Sequence, residues 1–522
     1  MVGAVIFGTG LRLYQLPKQI LFGDEWHGII AAPNLSYFQI ASSFGISDHS
    51  IPITLYYKLA SDWIGLDEYI IRMPFALAGI LIILIFPLLV RGFAGRFTSN
   101  LFAWLLALSP PLIFYSRIAR PYSIAVLCGF SAVILFYRWW MRPDWRRMVL
   151  YVILAAATGY LLLVTLPWVL APFPFFFALS FLSPHFQISR SIKRLLFLGC
   201  LTLSSMLLLV GPPLYFDFAA ISSKAGYPMI SPSNLIDAFR ILSGMESPLL
   251  AIILLIFIIA GLIKTYREKR RFAIYLLTLS LIQPITLLIL RPLGSTVPII
   301  FARYVLLILP ALLIFAAAGV EAVLTVLGGS LMKWMRPVLA AALCAVLFLG
   351  GPAPSATYSP NNATSLVMLL HALKGKGYRQ VLKKMPRFYV SMAAHPPASL
   401  TIAEAPFHWQ ADHLALYQKI HRQNVVMGLT GNLCGQEGKN ELPILGHAAR
   451  FKTIVDLKNV NALSARGIDF VVFHKQMENE IHGRLPDYLP RDISGCIEQY
   501  RARFGRPFFE DDDIIVFEVG RG

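Results

Sequence analysis

Charge is scarce in this 522-residue sequence. Asp, Glu, Lys and Arg make up 14% of it, against about 25% in a soluble globular domain. Much of the chain must therefore be solvated by something other than water. Cysteine is also sparse, with five in the whole sequence, which excludes a small disulfide-stapled scaffold. Neither a Walker loop nor a dinucleotide-type glycine fingerprint stands where a strand leads into a helix, so a nucleotide or nucleotide-sugar substrate has no visible handle. Apolar residues dominate instead: 57% are hydrophobic and 13% aromatic, with a mean hydropathy of +0.63. That aromatic content excludes a disordered chain. The net charge of +18 and pI near 9.7 fit either a nucleic-acid binder or a membrane protein with basic inner loops.

The distribution of hydrophobic runs decides between them. A spanning helix needs roughly 20 apolar residues, and about eleven stretches qualify: Met1–Pro17, Tyr69–Val90, Asn100–Tyr115, Tyr122–Trp140, Met148–Leu166, Trp168–Leu182, Leu195–Phe216, Pro248–Ile263, Phe272–Leu290, Tyr304–Leu327 and Pro337–Gly350. With the N-terminus inside, the inner loops hold sixteen basic residues, from Arg91 through Arg336, against the acids Asp144 and Glu268. Every other acid before residue 350 except Glu321 then lies outside, and the basic excess inside is what the positive-inside rule predicts. Met1 opens directly into its apolar stretch without a charged n-region, so that stretch reads as a first span and not a removable signal. The expected architecture is a polytopic α-helical membrane domain over residues 1–350, with a long first outer loop at 18–68, and an outer domain over 351–522.

The outer domain reads as mixed α/β. Short β-rich runs at Leu400–Glu404, Val425–Leu429, Phe470–His474 and Ile514–Val519 alternate with helical patterns at Asp412–His421 and Val460–Arg466. Asp511–Asp513 reads as a turn before the last strand. Of the cysteines, only Cys434 and Cys496 lie in this domain, where they form either a bridge or two free thiols.

Several charged residues do not fit a simple anchor. The first outer loop carries six acids, Asp24, Glu25, Asp48, Asp62, Asp67 and Glu68. Asp24 and Glu25 lie just beyond the first span, and Asp48 just before the aromatic run Leu55–Lys58. Asp24 and Asp48 suit either helix caps or a general base at the membrane surface. Arg117 and Arg120 fall three apart in a very short outer connection, with Tyr122 after them, and Arg303 precedes Tyr304 in another. A single such arginine reads as snorkelling to a lipid headgroup; the set suits a phosphate held bidentately. His27 and His49 each stand near an acid, which keeps a metal site with Asp24 or Asp48 as an alternative.

The order of these motifs resembles the polyprenyl-phosphate-sugar-dependent glycosyltransferases of the GT-C class, the superfamily of protein O-mannosyltransferases and the lipid A aminoarabinose transferase. The resemblance runs through Leu11–Pro17 into Asp24–Glu25, Ile51–Tyr57, Gly65, Arg72–Pro74, Leu108–Tyr122 and Phe301–Pro310, and in the outer domain through Leu414–His421, Gly467–His474 and Phe504–Val519. It implies that Asp24 orients and deprotonates the acceptor, with Glu25 as its motif neighbour and Asp48 as a second first-loop acid. After that second acid the family carries adjacent prolines where this chain has Ser50-Ile51-Pro52. The donor phosphate falls to Arg117, Arg120, Tyr122 and Arg303, with Lys58 a helper near the lipid head. The implied reaction is inverting transfer of a sugar from a polyprenyl (undecaprenyl) phosphate to an envelope lipid, glycan or protein. It takes place at the outer face of a bacterial inner membrane, with bilayer lipids as the other partners and no nucleic acid. No cofactor is implied, and a divalent metal stays open. The alternatives are a transporter or lipid flippase using the same arginines, and a non-catalytic subunit of an envelope assembly.

Overall fold

The computed structural model describes residues 1–14, 16, 21, 25–44, 50–182, 188–245, 247–327, 332–349, 385–405, 413–426, 433, 457, 459–475, 478–479, 483–484 and 492–520. The chain divides into two compact units. One comprises Met1–Tyr14, Phe38–Ile53 and Met73–Pro354; the other comprises Gln15–Tyr37, Thr54–Arg72 and Ser355–Gly522.

Along the chain the helices begin with α1 (Val2–Leu13), α2 (Trp26–Asn34), α3 (Tyr37–Ser42), α4 (Ile51–Trp63), α5 (Glu68–Leu108) and α6 (Pro110–Arg117). There follow α7 (Tyr122–Met141), α8 (Trp145–Leu161), α9 (Leu166–Leu170), α10 (Pro172–Leu182), α11 (Ile188–Phe216) and α12 (Phe218–Ser222). The apolar region closes with α13 (Pro232–Ser243), α14 (Pro248–Glu268), α15 (Arg270–Leu290), α16 (Pro298–Tyr304), α17 (Leu309–Leu327) and α18 (Met332–Leu349). Each expected span lies in helical chain, but Asn100–Tyr115 is broken at Ser109 between α5 and α6, and Trp168–Leu182 is divided between α9 and α10. Among the described residues seven helices are long and apolar enough to cross a membrane, and Val2–Leu13 and Pro337–Val346 are shorter apolar ones. The chain is a polytopic α-helical membrane protein. At 1.5 Å per residue the 41 residues of α5 would run to about 60 Å, twice a hydrocarbon core. Gly95 divides them: its φ of 80° and ψ of 172° lie outside the helical region, a conformation open to glycine. Two expected spans are thus joined by a kink where a loop was expected.

The closest helix pairing is α14 with α17. A Cβ on Gly261 would overlap the carbonyl oxygen of Phe315, and one on Gly319 that of Phe257, so the two backbones touch through their glycines. At one end of this pair Glu321 accepts from Thr98 Oγ1 at 2.7 Å and from Lys264 Nζ at 3.1 Å. The one acid that the loop charges did not place is therefore an interhelical tie.

Of the short helices between spans, α2 and α4 stand where Asp24 and Asp48 suited helix caps, whereas α3, α12, α13 and α16 were not foreseen. α3 precedes Ser43 and Phe44, whose hydroxyl and amide donate to the Asp217 carboxylate at 2.7 and 3.0 Å, while Ser50 donates to the Leu161 carbonyl at 3.0 Å. The first loop is thus tied down on both sides of residues 45–49.

The second unit contains helices α19 (Arg387–Met392), α20 (His413–His421), α21 (Val460–Ala465) and α22 (Ile493–Phe504), with strands β1 (Thr401–Ala405), β2 (Asn424–Val426), β3 (Phe470–His474), β4 (Glu478–Asn479), β5 (Gly483–Arg484), β6 (Phe509–Glu510) and β7 (Ile514–Glu518). β4 and β5 pair with each other, and the main sheet has the order β2-β1-β3-β7-β6. β1 is parallel to both β2 and β3, and β7 is antiparallel to β3. One face packs Val471, Phe473, Ile515 and Phe517 against Cys496 and Tyr500 of α22, whose N-terminus is capped by Asp492 accepting from Gly495 N at 2.8 Å. Asp511 forms the expected turn, its carboxylate accepting from the amides of Asp513 and Ile514. At the carboxyl ends of β1 and β3, buried Glu404 lies 2.7 Å from His474 Nε2 and accepts from the Tyr389 hydroxyl at 2.9 Å. Cys128, Cys200 and Cys344 are free and Cys496 is disulfide-bonded; Cys434 lies outside the described residues.

Candidate active site

In the first unit the candidate cations gather around the turn between α6 and α7. Ser109 and the prolines at the first two positions of α6 set its start. Ile118 is extended and ends the helix, before Pro121 opens α7. The turn carries Arg117, Arg120 and Tyr122, all buried.

The two arginines differ in use. Arg117 Nη1 donates to the carbonyls of Leu11 at 2.8 Å and Arg12 at 3.0 Å, and its Nη2 to that of Tyr14 at 2.8 Å. These are among the carbonyls that a helix C-terminus leaves without intrahelical partners, where the dipole favours a cation. Arg117 thus anchors the end of α1. Arg12 does the same for α5, donating to Leu106 and Ala107 oxygens at 3.1 and 3.2 Å. Arg120 is 8% exposed and sits on the tight bend where its amide bonds the Ile118 carbonyl at 2.8 Å.

Arg303, at the end of α16, is brought to Tyr122. Its guanidinium lies 5.6 Å from the ring centroids of both Tyr122 and Tyr304, within reach of a cation–π attraction. Tyr115 makes an edge-to-face contact with Tyr122 at 5.0 Å. The result is a cationic centre framed by aromatic rings, assembled from segments that are distant in sequence.

In the second unit the first loop supplies a different cluster. Glu25, the residue before α2, and Arg72 on α5 are both fully buried. They form a two-point pair, Nε to Oε1 at 2.8 Å and Nη2 to Oε2 at 2.7 Å, and Arg72 Nη1 also reaches the Leu16 carbonyl at 3.3 Å. The surroundings are tight. A Cβ on Gly28 would stand 3.1 to 3.2 Å from Thr54 and the Tyr57 ring, and the hydroxyls of Tyr56 and Tyr57 bond the carbonyls of Ile70 and Ile71. Glu25 is therefore spent on holding the loop. Lys58 pairs with Asp62 at 3.3 Å and lies 5.7 Å from the Tyr37 ring. Asp24 and Asp48 lie outside the described residues.

The sequence reading did not assign Arg12 or Arg72 a role. Both had a signal available, since each is a charge set within an apolar run. Among the described residues no group of three or more His, Cys, Asp or Glu is arranged to hold a metal ion.

No protein-family model and no curated protein matches the chain. Among solved structures it is similar to ArnT from Cupriavidus metallidurans bound to undecaprenyl phosphate, with a TM-score of 0.48, 13% identity and coverage of 99% of this chain and 98% of that one. It is also similar to the oligosaccharyltransferase AglB from Archaeoglobus fulgidus, in complex with an inhibitory peptide and a dolichol-phosphate (TM-score 0.45, 12% identity, 91% of this chain and 69% of that one). A third similar structure is the arabinofuranosyltransferase AftD from Mycobacteria, at a TM-score of 0.46 and 13% identity, over 99% of this chain and 40% of that one.

Proposed function

We propose that the protein is a membrane glycosyltransferase that moves a sugar from a polyprenyl-phosphate carrier to an acceptor of the cell envelope. The observation that carries this reading is the aromatic-framed cation Arg303, held over Tyr122 beside the buried turn that bears Arg120. Within the second unit the acidic first loop has its Glu25 locked by Arg72. Undecaprenyl phosphate, bound in the similar ArnT structure, is a carrier of the proposed kind.

In the proposed reaction an acceptor hydroxyl attacks the anomeric carbon and its proton passes to the Asp24 carboxylate. The bond between the anomeric carbon and the phosphate oxygen breaks, and the electron pair leaves on the polyprenyl phosphate. Negative charge grows on that phosphate, and fixed cations in a partly dry site stabilise it more than they stabilise the neutral part of the donor. Arg120 and Arg303 take this role, with Tyr122 holding the Arg303 guanidinium. A single base and no enzyme nucleophile give inversion. The Glu25–Arg72 pair fixes the chain at Glu25, while Arg117 ties the turn to the end of α1. Lys58 assists at the lipid head and Asp48 contributes to acceptor binding. The site faces the extracytoplasmic side of a bacterial inner membrane, the side proposed for residues 351–522.

The test is label transfer from radiolabelled polyprenyl-phosphate sugars to an envelope extract by the protein in liposomes. Asp24→Asn is expected to abolish transfer while retaining donor binding, and Arg303→Ala to weaken donor binding at least tenfold. Absence of transfer by the unaltered protein with every donor offered would contradict the assignment.

A further inference from the structure

A cavity of about 550 Å³ lies in the first unit between α1, the second half of α5 and α18. Trp104 forms one wall, 6.3 Å from the Phe7 ring by centroid, and Ala341, Cys344 and Ala345 form the opposite one. Among the described residues its lining is apolar apart from the Asn100 amide and the Trp104 indole N–H. A buried water needs two to four hydrogen-bond partners, so the lining selects hydrocarbon over water.

The shape narrows the occupant. The α5 lining runs from Phe97 to Leu108 on one helical face, eleven residue steps or about 16 Å along the axis. That is close to half of a hydrocarbon core of about 30 Å, the depth of one leaflet. The cavity thus follows α5, an apolar helix long enough to span, for about one leaflet's length. None of Arg117, Arg120, Tyr122 or Arg303 lines it, which separates it from the residues assigned to the donor phosphate.

We propose that this cavity is a binding site for one acyl chain of a bilayer phospholipid, which fills the space between α18 and the α1/α5 wall. The small residues on α18 leave the room that the chain occupies, and Trp104 packs along it. The lipid completes the seat of the last apolar helix. It is not the donor.

A phosphatidylethanolamine with a diazirine in mid-chain, incorporated in nanodiscs with the full-length protein, tests the proposal by peptide mapping after irradiation. Label is expected on peptides 97–108 and 337–345. Ala341→Leu or Ala345→Leu, which fill the cavity, should lower it at least fivefold, with labelling of the exposed Leu207–Leu208 face of α11 unchanged in whichever variant folds. Unlabelled polyprenyl phosphate in tenfold excess should not compete. Labelling absent from both peptides, unaffected by both substitutions, or displaced by polyprenyl phosphate would each overturn the proposal, the last by assigning the cavity to an isoprenoid chain.

Discussion

Two buried side chains show how much of this protein rests on single residues. Glu25 and Arg72 are both fully buried and share two hydrogen bonds. Removing one partner leaves an uncompensated charge, a loss of roughly 3–5 kcal/mol. Glu25→Gln should therefore lower the thermal midpoint of the purified protein, and adding Arg72→Met should recover part of that loss. If the double variant is no more stable than Glu25→Gln alone, the pair is not the source of the effect. His421 offers a pH test. It is buried and stacked on Tyr389, and its Nδ1 accepts from the Gln423 amide at 3.0 Å. Burial pushes its pKa down from 6.5 to about 3. Between these values the unfolded chain binds a proton that the folded protein does not, so stability falls with pH below 6.5, by up to about 1.4 kcal/mol per pH unit. Protection factors in α20, taken relative to the intrinsic exchange rate at each pH, should fall on acidification from pH 6.5 to 4.5, and His421→Gln should flatten that dependence.

At the scale of elements, the contact of α14 with α17 depends on two hydrogen atoms in place of side chains. Gly319→Ala would press a methyl group into the Phe257 carbonyl and should cost about 1–3 kcal/mol as overpacking. Gly92→Ala is the control, since a Cβ there meets nothing within 4 Å; it should leave the thermal midpoint unchanged or slightly raised. The glycines were readable in sequence but their partners were not, because the meeting of Gly261 with Phe315 joins two helices separated by the whole of α15 and α16. Strands were easier. β1, β3 and β7 fall within a residue of the β-rich runs, since a buried strand is a short, mainly apolar run that announces itself locally, even with Glu404 and His474 among its residues. Their order in the sheet has no such local signature.

For the whole molecule, loop charge predicts orientation. Arg142→Cys, between α7 and α8, should react with a membrane-impermeant maleimide only after the membrane is opened. Lys224→Cys, between α12 and α13, should react in intact cells. The reverse pattern would invert the topology and remove the proposed placement of the site at the extracytoplasmic face.

Much of the architecture is determined by the sequence alone, because hydropathy and helix length are local properties. The apolar helices and the α/β region follow from runs of neighbouring residues, as does the Asp511 turn. What only the tertiary structure decided is the partner of each charge. Arg117, readable as a phosphate ligand, is instead bound to the carbonyls closing α1, more than a hundred residues earlier. Arg72 meets Glu25 across 47 residues, and Arg303 reaches Tyr122 from α16. A buried cation takes whichever acceptor the packing brings within about 3 Å, and the spacing of residues along the chain does not contain that distance.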